Sequence, residues 1–309
     1  MTNLSEKDLA HNNLSDCANR GDFEGIARLL AQGADPRRNY SEALFRASSN
    51  GHAECVRLLI PISDPKANNC HALRNAAANG HAECVKMLMP ASAPLLAGSH
   101  VLFDAAGGGH AECVSLLIPF LDPLVDDSQA LRNAARNGHA ECVKLLIPVS
   151  DPKACDSKAL FFSARGGHTE CVKLLIPVSD PKAELSRALL ISAQLDHFEC
   201  VLLLLPVSDA ISTPSSPPDS LSDLERQANS PLYAALRRGH ARVVSAMLAH
   251  EPGLLNSLDL PALLAASISH GHADLSALLS SVIEQHALST SLPMLGPSSP
   301  PPRSQPPRL

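Results

Sequence analysis

The chain has 309 residues, 45% of them apolar, enough to bury a substantial core and to exclude disorder throughout. Aromatic residues make up only 3%, with no Trp, while Leu and Ala abound, so helices are favoured over sheets. A net charge of −6 removes any global pull towards nucleic acid or anionic lipid, and the longest apolar runs, such as Val201 to Leu205, are far too short to span a bilayer.

In chain order, residues 1–10 read as an N-terminal extension without the basic and apolar segments of a secretion signal, so a soluble cytoplasmic protein with no membrane partner is expected. From residue 11 a repeat dominates. The pair Gly-His, or Asp-His, recurs at Gly51, Gly80, Gly109, Gly138, Gly167 and Asp196, a constant step of 29 residues. Six tandem units start at Ser41, Cys70, Ser99, Ser128, Ser157 and Ser186, and a looser copy, NLSDCANRGDFEGIARLLAQGADP, precedes them. These seven units fill 11–209. A Pro/Ser-rich insert at 210–228 interrupts the period, and 229–286 holds two further copies and a C-terminal cap. Residues 287–309, ending PSSPPPRSQPPRL, cannot pack a core and are expected to be a disordered tail of polyproline character.

Within a unit, positions 3, 4, 7 and 8 are Ala, Leu, Ala or Ser, and Ala, the spacing of one buried helix face. A Gly turn follows, then a second apolar segment such as Val172, Leu175 and Ile176, stopped by Pro177. That second helix is expected to run about nine residues, or roughly 13 Å. One helix pair cannot bury both its faces alone, so the units must stack. The fold class is therefore all-α, a solenoid of about nine helix-turn-helix repeats.

The segments GHAECVKLLIPVSDPKA, from Gly138 to Ala154, and RGDFEGIARLLAQGADP, from Arg20 to Pro36, resemble the ankyrin repeat. The similarity extends over roughly residues 11–283. Its departures are a period of 29 instead of 33, with about three residues missing between Ala154 and Ala159, and no Thr-Pro before the first helix. The missing residues would build the family's β-hairpin finger, so fingers reduced to tight turns are expected. The resemblance also implies that the recurrent His bonds backbone of a neighbouring loop. Relatives of this kind include cytosolic scaffolds, inhibitors and effectors that microbes deliver into host cells.

Cys55, Cys84, Cys113, Cys142, Cys171 and Cys200 each follow a His by three residues. A His and a Cys one helical turn apart can share a metal, but a tetrahedral site needs four convergent ligands and each unit supplies one pair. The thiols are read instead as small buried hydrophobes, one repeat apart and too distant for disulfides. Glu141 and its equivalents complement the dipole of the second helix, and Asp64, Asp122, Asp151, Asp180 and Asp209 sit where an Asx side chain satisfies turn N–H groups. No nucleophile elbow, zincin, Walker or dinucleotide motif is present, so no enzyme, catalytic residue, metal or cofactor is expected.

Positions 2, 5, 6 and 9 of the first segment vary most and form one stripe opposite the constant Ala/Leu face. It holds seven basic residues against two acidic ones, and four of the seven Phe. Aromatic and Arg side chains supply the desolvated anchors of protein interfaces. The candidate partner-binding residues are Arg74, Phe103, Asp104, Arg132, Asn133, Arg136, Lys158, Phe161, Phe162, Arg165 and Arg187, with the centre at Arg132, Arg136, Phe161 and Arg165. Two readings of Phe161 and Phe162 stand, interface anchors or packing between adjacent first helices. The expected function is a non-enzymatic, monomeric scaffold or adaptor that binds an acidic protein or peptide; a nucleic-acid partner on the same stripe is the alternative.

Overall fold

The computed structural model describes residues 6–92, 100–208, 230–256 and 258–291. The described residues contain helices and turns but no strand, and no helix among them is long and apolar enough to cross a membrane. They fall into two compact units, 1–211 and 212–309.

The first unit is a succession of helix pairs: α1 (Glu6–Arg20) with α2 (Phe23–Ala31), α3 (Arg38–Ser49) with α4 (Ala53–Leu59), and α5 (Ala67–Ala78) with α6 (Ala82–Ser92). It continues with α7 (Val101–Gly107) and α8 (Ala111–Leu117), α9 (Val125–Asn137) and α10 (Ala140–Leu146), α11 (Ala154–Arg165) and α12 (Thr169–Leu175), and α13 (Ala183–Gln194) and α14 (Phe198–Leu204). The constant positions are the core. Ala130, Leu131, Ala134 and Ala135 on α9 have no exposed surface, and neither do Cys142, Val143 and Leu146 on α10. Each Leu buried this way contributes about 1.5–3 kcal/mol, while Ala keeps neighbouring first helices close.

The second helices are shorter than the periodicity suggests. Most run seven residues and end two before the Pro, as α10 does at Leu146 before Pro148. In α6 the helix instead runs through Pro90 to Ser92, and only its final turn lacks the Pro N–H donor. The first helix of the chain also begins earlier than expected, at Glu6, inside the segment read as an extension.

Between units the chain makes a turn that the sequence does not announce. Three consecutive residues, Asn39 to Ser41, Asn68 to Cys70, Asp126 to Ser128 and Cys155 to Ser157, take left-handed helical dihedrals with φ between 48° and 62°. A bond from Ser128 N–H to Leu124 O, 3.1 Å, closes one such turn. This compact left-handed turn stands where a longer finger would otherwise project and accounts for the shortened period. Half of its residues are Asn and Asp, which tolerate the conformation better than other non-glycines. The final Ser is buried and closes its own unit: Ser128 Oγ accepts from Asp151 N–H at 2.8 Å, and Ser157 Oγ from Asp180 N–H at 2.8 Å.

The second unit holds α15 (Pro231–Arg238), α16 (Ala241–His250), α17 (Leu260–Ser269) and α18 (Ala273–Ser291), around buried Leu232, Val243, Met247, Leu263 and Leu275. Here the connections are conventional. A 3-10 turn, Pro252–Asn256, leads towards Asp259, whose carboxylate caps α17 by accepting from Ala262 N–H at 3.1 Å. Helix α18 includes the first residues of the expected tail; the insert at 210–228, Asp209 and the tail beyond 291 lie outside the described residues.

Candidate functional site

Two surfaces decide what the array can do, the seam that repeats and the stripe that varies. At the seam each His reaches back to the preceding unit. His139 Nε2 donates to Gly107 O at 2.9 Å and His168 Nε2 to Arg136 O at 3.0 Å, and the same bond links His81 to Ser49, His110 to Ala78 and His197 to Arg165. A carbonyl only accepts, so Nε2 carries the proton. Nδ1 then lies against the Gly of the preceding unit: a Cβ on Gly109 would fall 2.5 Å from His139 Nδ1. The implied structural role of the His column is what the geometry contains.

The six column cysteines are buried, free of disulfides, and no group of side chains among the described residues could hold a metal ion. Burial, helped by the adjacent Glu of each unit, pushes the Cys84, Cys113, Cys142 and Cys171 thiols up from 9.0 to about 11. They therefore stay protonated and poorly nucleophilic at neutral pH. The turn carboxylates are occupied as expected, with Asp122 accepting from Leu124 N–H and Asp151 from Lys153 N–H, both at 2.9 Å. On the outer helix face Arg57 pairs with Glu54 and Lys173 with Glu170 at 3.3 Å.

The stripe is less uniformly exposed than its pattern suggests. Phe103 is a correction: it is 4% exposed and packs edge-on to His100. The equivalent Phe45, Arg74, Arg132 and Phe161 are half-buried, so this position of the first helix leans towards the core in every unit. Arg132 is half-buried and its guanidinium is already engaged; it donates to Asp126 O at 2.8 Å, to Gln129 Oε1 at 3.2 Å and to Cys155 Sγ at 2.9 Å. Arg74 is also half-buried, with its Nε lacking a hydrogen-bond partner, and Asn133 sits beside it in exposure. The named centre of the stripe therefore loses Arg132.

What remains is a stack on α9, α11 and α13. The Arg136 guanidinium lies 4.0 Å from the Phe162 ring centre, and that of Arg187 lies 4.7 Å from Phe161. The two Phe rings are half-buried and 5.6 Å apart, so they pack between first helices while presenting an edge to solvent. Arg187 is additionally paired with Glu184. Lys158, Asp104, Arg136 and Arg165 are exposed, and neither Arg136 nor Arg165 meets a carboxylate among the described residues. A cleft beside the stack, lined by Cys155, Lys158, Phe161 and Arg187, has a volume of about 40 Å³. Metabolite sites are roughly ten times larger.

Comparison with known proteins agrees with this architecture. The family model for ankyrin repeats, in three copies, matches residues 14–97, 90–156 and 131–215, which together span 14–215 of the 309 residues. Among solved structures, the crystal structure of the human ASB11 ankyrin repeat domain is similar, with 22% identity and a TM-score of 0.45, covering 58% of this chain and 96% of that one. No curated protein matches significantly. Ankyrin repeats generally serve as protein-interaction scaffolds, and nothing in the fold or the net charge supports a nucleic-acid partner. The recurring His-to-carbonyl seam, the buried Ala/Leu faces and the match over most of the array lead to one conclusion: the chain belongs to the ankyrin repeat family.

Proposed function

We propose that the chain is a non-enzymatic, cytoplasmic and monomeric adaptor that captures an acidic segment of a protein or peptide on the stripe formed by α9, α11 and α13. The observation that carries this reading is the pair Arg136 and Arg165. They occupy the same position in successive first helices, about 10 Å apart by ordinary helix packing, and both are exposed without a carboxylate partner among the described residues. Arg136 is held over Phe162, which limits the side-chain entropy that binding must remove. Support for binding over catalysis on this stripe comes from the protonated column thiols, and the cleft beside the stack is too small for a metabolite.

The test is affinity capture with purified chain as bait, comparing wild type with an Arg136→Glu/Arg165→Glu double variant. The expected result is loss of the captured partner with unchanged helical circular dichroism. Equal capture by the folded variant would remove this stripe from consideration.

A further inference from the structure

The left-handed turns of the second and third helix pairs are not equivalent to those further along. In three later seams a buried or half-buried Ser hydroxyl closes the gap between turns: Ser92 donates to Pro65 O at 3.5 Å, Ser179 to Pro152 O at 3.3 Å and Ser208 to Pro181 O at 3.4 Å. Ser63, the equivalent residue one unit earlier, is 6% exposed and its hydroxyl has no partner, as is also the case for the Ser150 hydroxyl. At Ser63 an open groove of about 890 Å³ lies between the turns, lined among others by Arg37, Asn39, Tyr40, Lys66 and Asn68.

Its side chains form a coherent set. Arg37 Nε donates to Ile62 O at 3.2 Å, which anchors the guanidinium of this exposed residue. Asp64, the acid among the lining residues, is committed to the turn: its Oδ1 accepts from Lys66 N–H at 3.0 Å. Arg37 and Lys66 are thus two exposed cations without a carboxylate partner among the described residues. Tyr40 is 78% exposed and stands at φ 58°. A bulky residue there is a conformational outlier that costs about 1–2 kcal/mol, and such outliers concentrate at binding sites. The corresponding residues are Asn69, Asp127 and Asp156, so the aromatic is particular to this turn.

We infer that the groove between the Asn39–Ser41 and Asn68–Cys70 turns binds an acidic peptide segment, independently of the first-helix stripe. Arg37 and Lys66 take its carboxylates, Tyr40 packs on its apolar or aromatic side chains, and the Asn39 and Asn68 amides, which both donate and accept, pair with its backbone. The buried Ser63 hydroxyl gains the partner it lacks. The peptide class fits better than a polynucleotide because the groove carries two cations beside the Asp64 carboxylate in an acidic chain.

The probe is fluorescein-labelled hexaglutamate, with hexaglutamine as its uncharged counterpart, titrated with the full chain and followed by anisotropy. Hexaglutamate is expected to bind at least tenfold more tightly than hexaglutamine. In an Arg136→Glu/Arg165→Glu background, which removes the cations of the first-helix stripe, adding Arg37→Glu/Lys66→Glu should weaken it at least tenfold. Equal binding of the two peptides, or unchanged binding on that addition, would overturn the assignment; so would equal displacement by an oligothymidylate of the same charge. A readout that tolerates no ambiguity from misfolding comes from Tyr40 itself. The chain has no Trp and two Tyr, so Tyr233→Phe leaves Tyr40 as the single reporter. Saturating hexaglutamate should then at least halve its quenching by acrylamide, and unchanged quenching would refute contact.

Discussion

The array turns its chain in two places per unit, and both use the left-handed region in opposite ways. Inside a unit the turn rests on one glycine, such as Gly109 at φ 79°, crowded by His139 of the next unit. Between units it rests on three residues that are not glycine, such as Asp126, Asp127 and Ser128, with Asp126 and Asp127 open to solvent. The difference teaches that two separate constraints act on such a turn. Where a neighbour occupies the Cβ position, glycine is obligatory; where the space is open, only a conformational cost applies, and local bonding can offset it.

The strongest way to break this comparison is Gly109→Ala. It adds the left-handed cost of an Ala to the displacement of His139, about 3 kcal/mol in all. Gly33 is the control, because it stands at φ 86° with nothing within 4 Å of a Cβ, so Gly33→Ala should cost only about 1 kcal/mol. Urea midpoints that fall equally for both variants would mean that His139 yields freely and that crowding plays no part.

An intermediate effect is expected for Ser128→Ala, which removes the acceptor of the Asp151 N–H at the other turn. A partly buried donor left unpaired costs about 1–2 kcal/mol. If the melting temperature does not move, water replaces the hydroxyl and the bond does not hold the unit closed.

The smallest effect has the opposite sign. Tyr40→Gly relieves a bulky exposed residue at φ 58°, and the folded chain should gain up to about 1 kcal/mol after the added backbone freedom of the unfolded state is subtracted. The same change should weaken hexaglutamate binding. A stabilised variant with poorer binding would locate the strain of this turn in function; a destabilised one would show that Tyr40 is held by contacts that outweigh its backbone cost.

These turns also show where the sequence was readable. The helix pairs followed from the 29-residue step, because Ala130, Leu131, Ala134 and Ala135 share one face that no other stacking can bury. The Gly-turn was marked by the residue that the geometry demands. The left-handed turns were not, since Asn, Asp, Cys and Ser each suit several loop conformations and no glycine flags the sign of φ. At the stripe, position alone gave the exposed face, yet Phe103 and Arg132 show its limit. A one-sided pattern cannot tell how far a position at the edge of the face sinks, as Phe103 does, nor that Cys155 and Asp126 would claim a long guanidinium. The Tyr40 groove lies outside that stripe, although a Tyr where the other units carry Asn, Gly, Asp or Leu was a usable signal.

The buried thiol column has an experimental consequence. Each unit from Cys55 to Cys200 carries a shielded column sulfhydryl, joined by buried Cys70 in one unit and half-buried Cys155 in another, and a column thiol reacts only when its helix pair comes apart. In a stack held by nearest-neighbour contacts, separation is easiest at the ends and hardest in the middle. Timed alkylation read by peptide mass would therefore act as a row of internal clocks, recording the unravelling of the solenoid copy by copy without any introduced label.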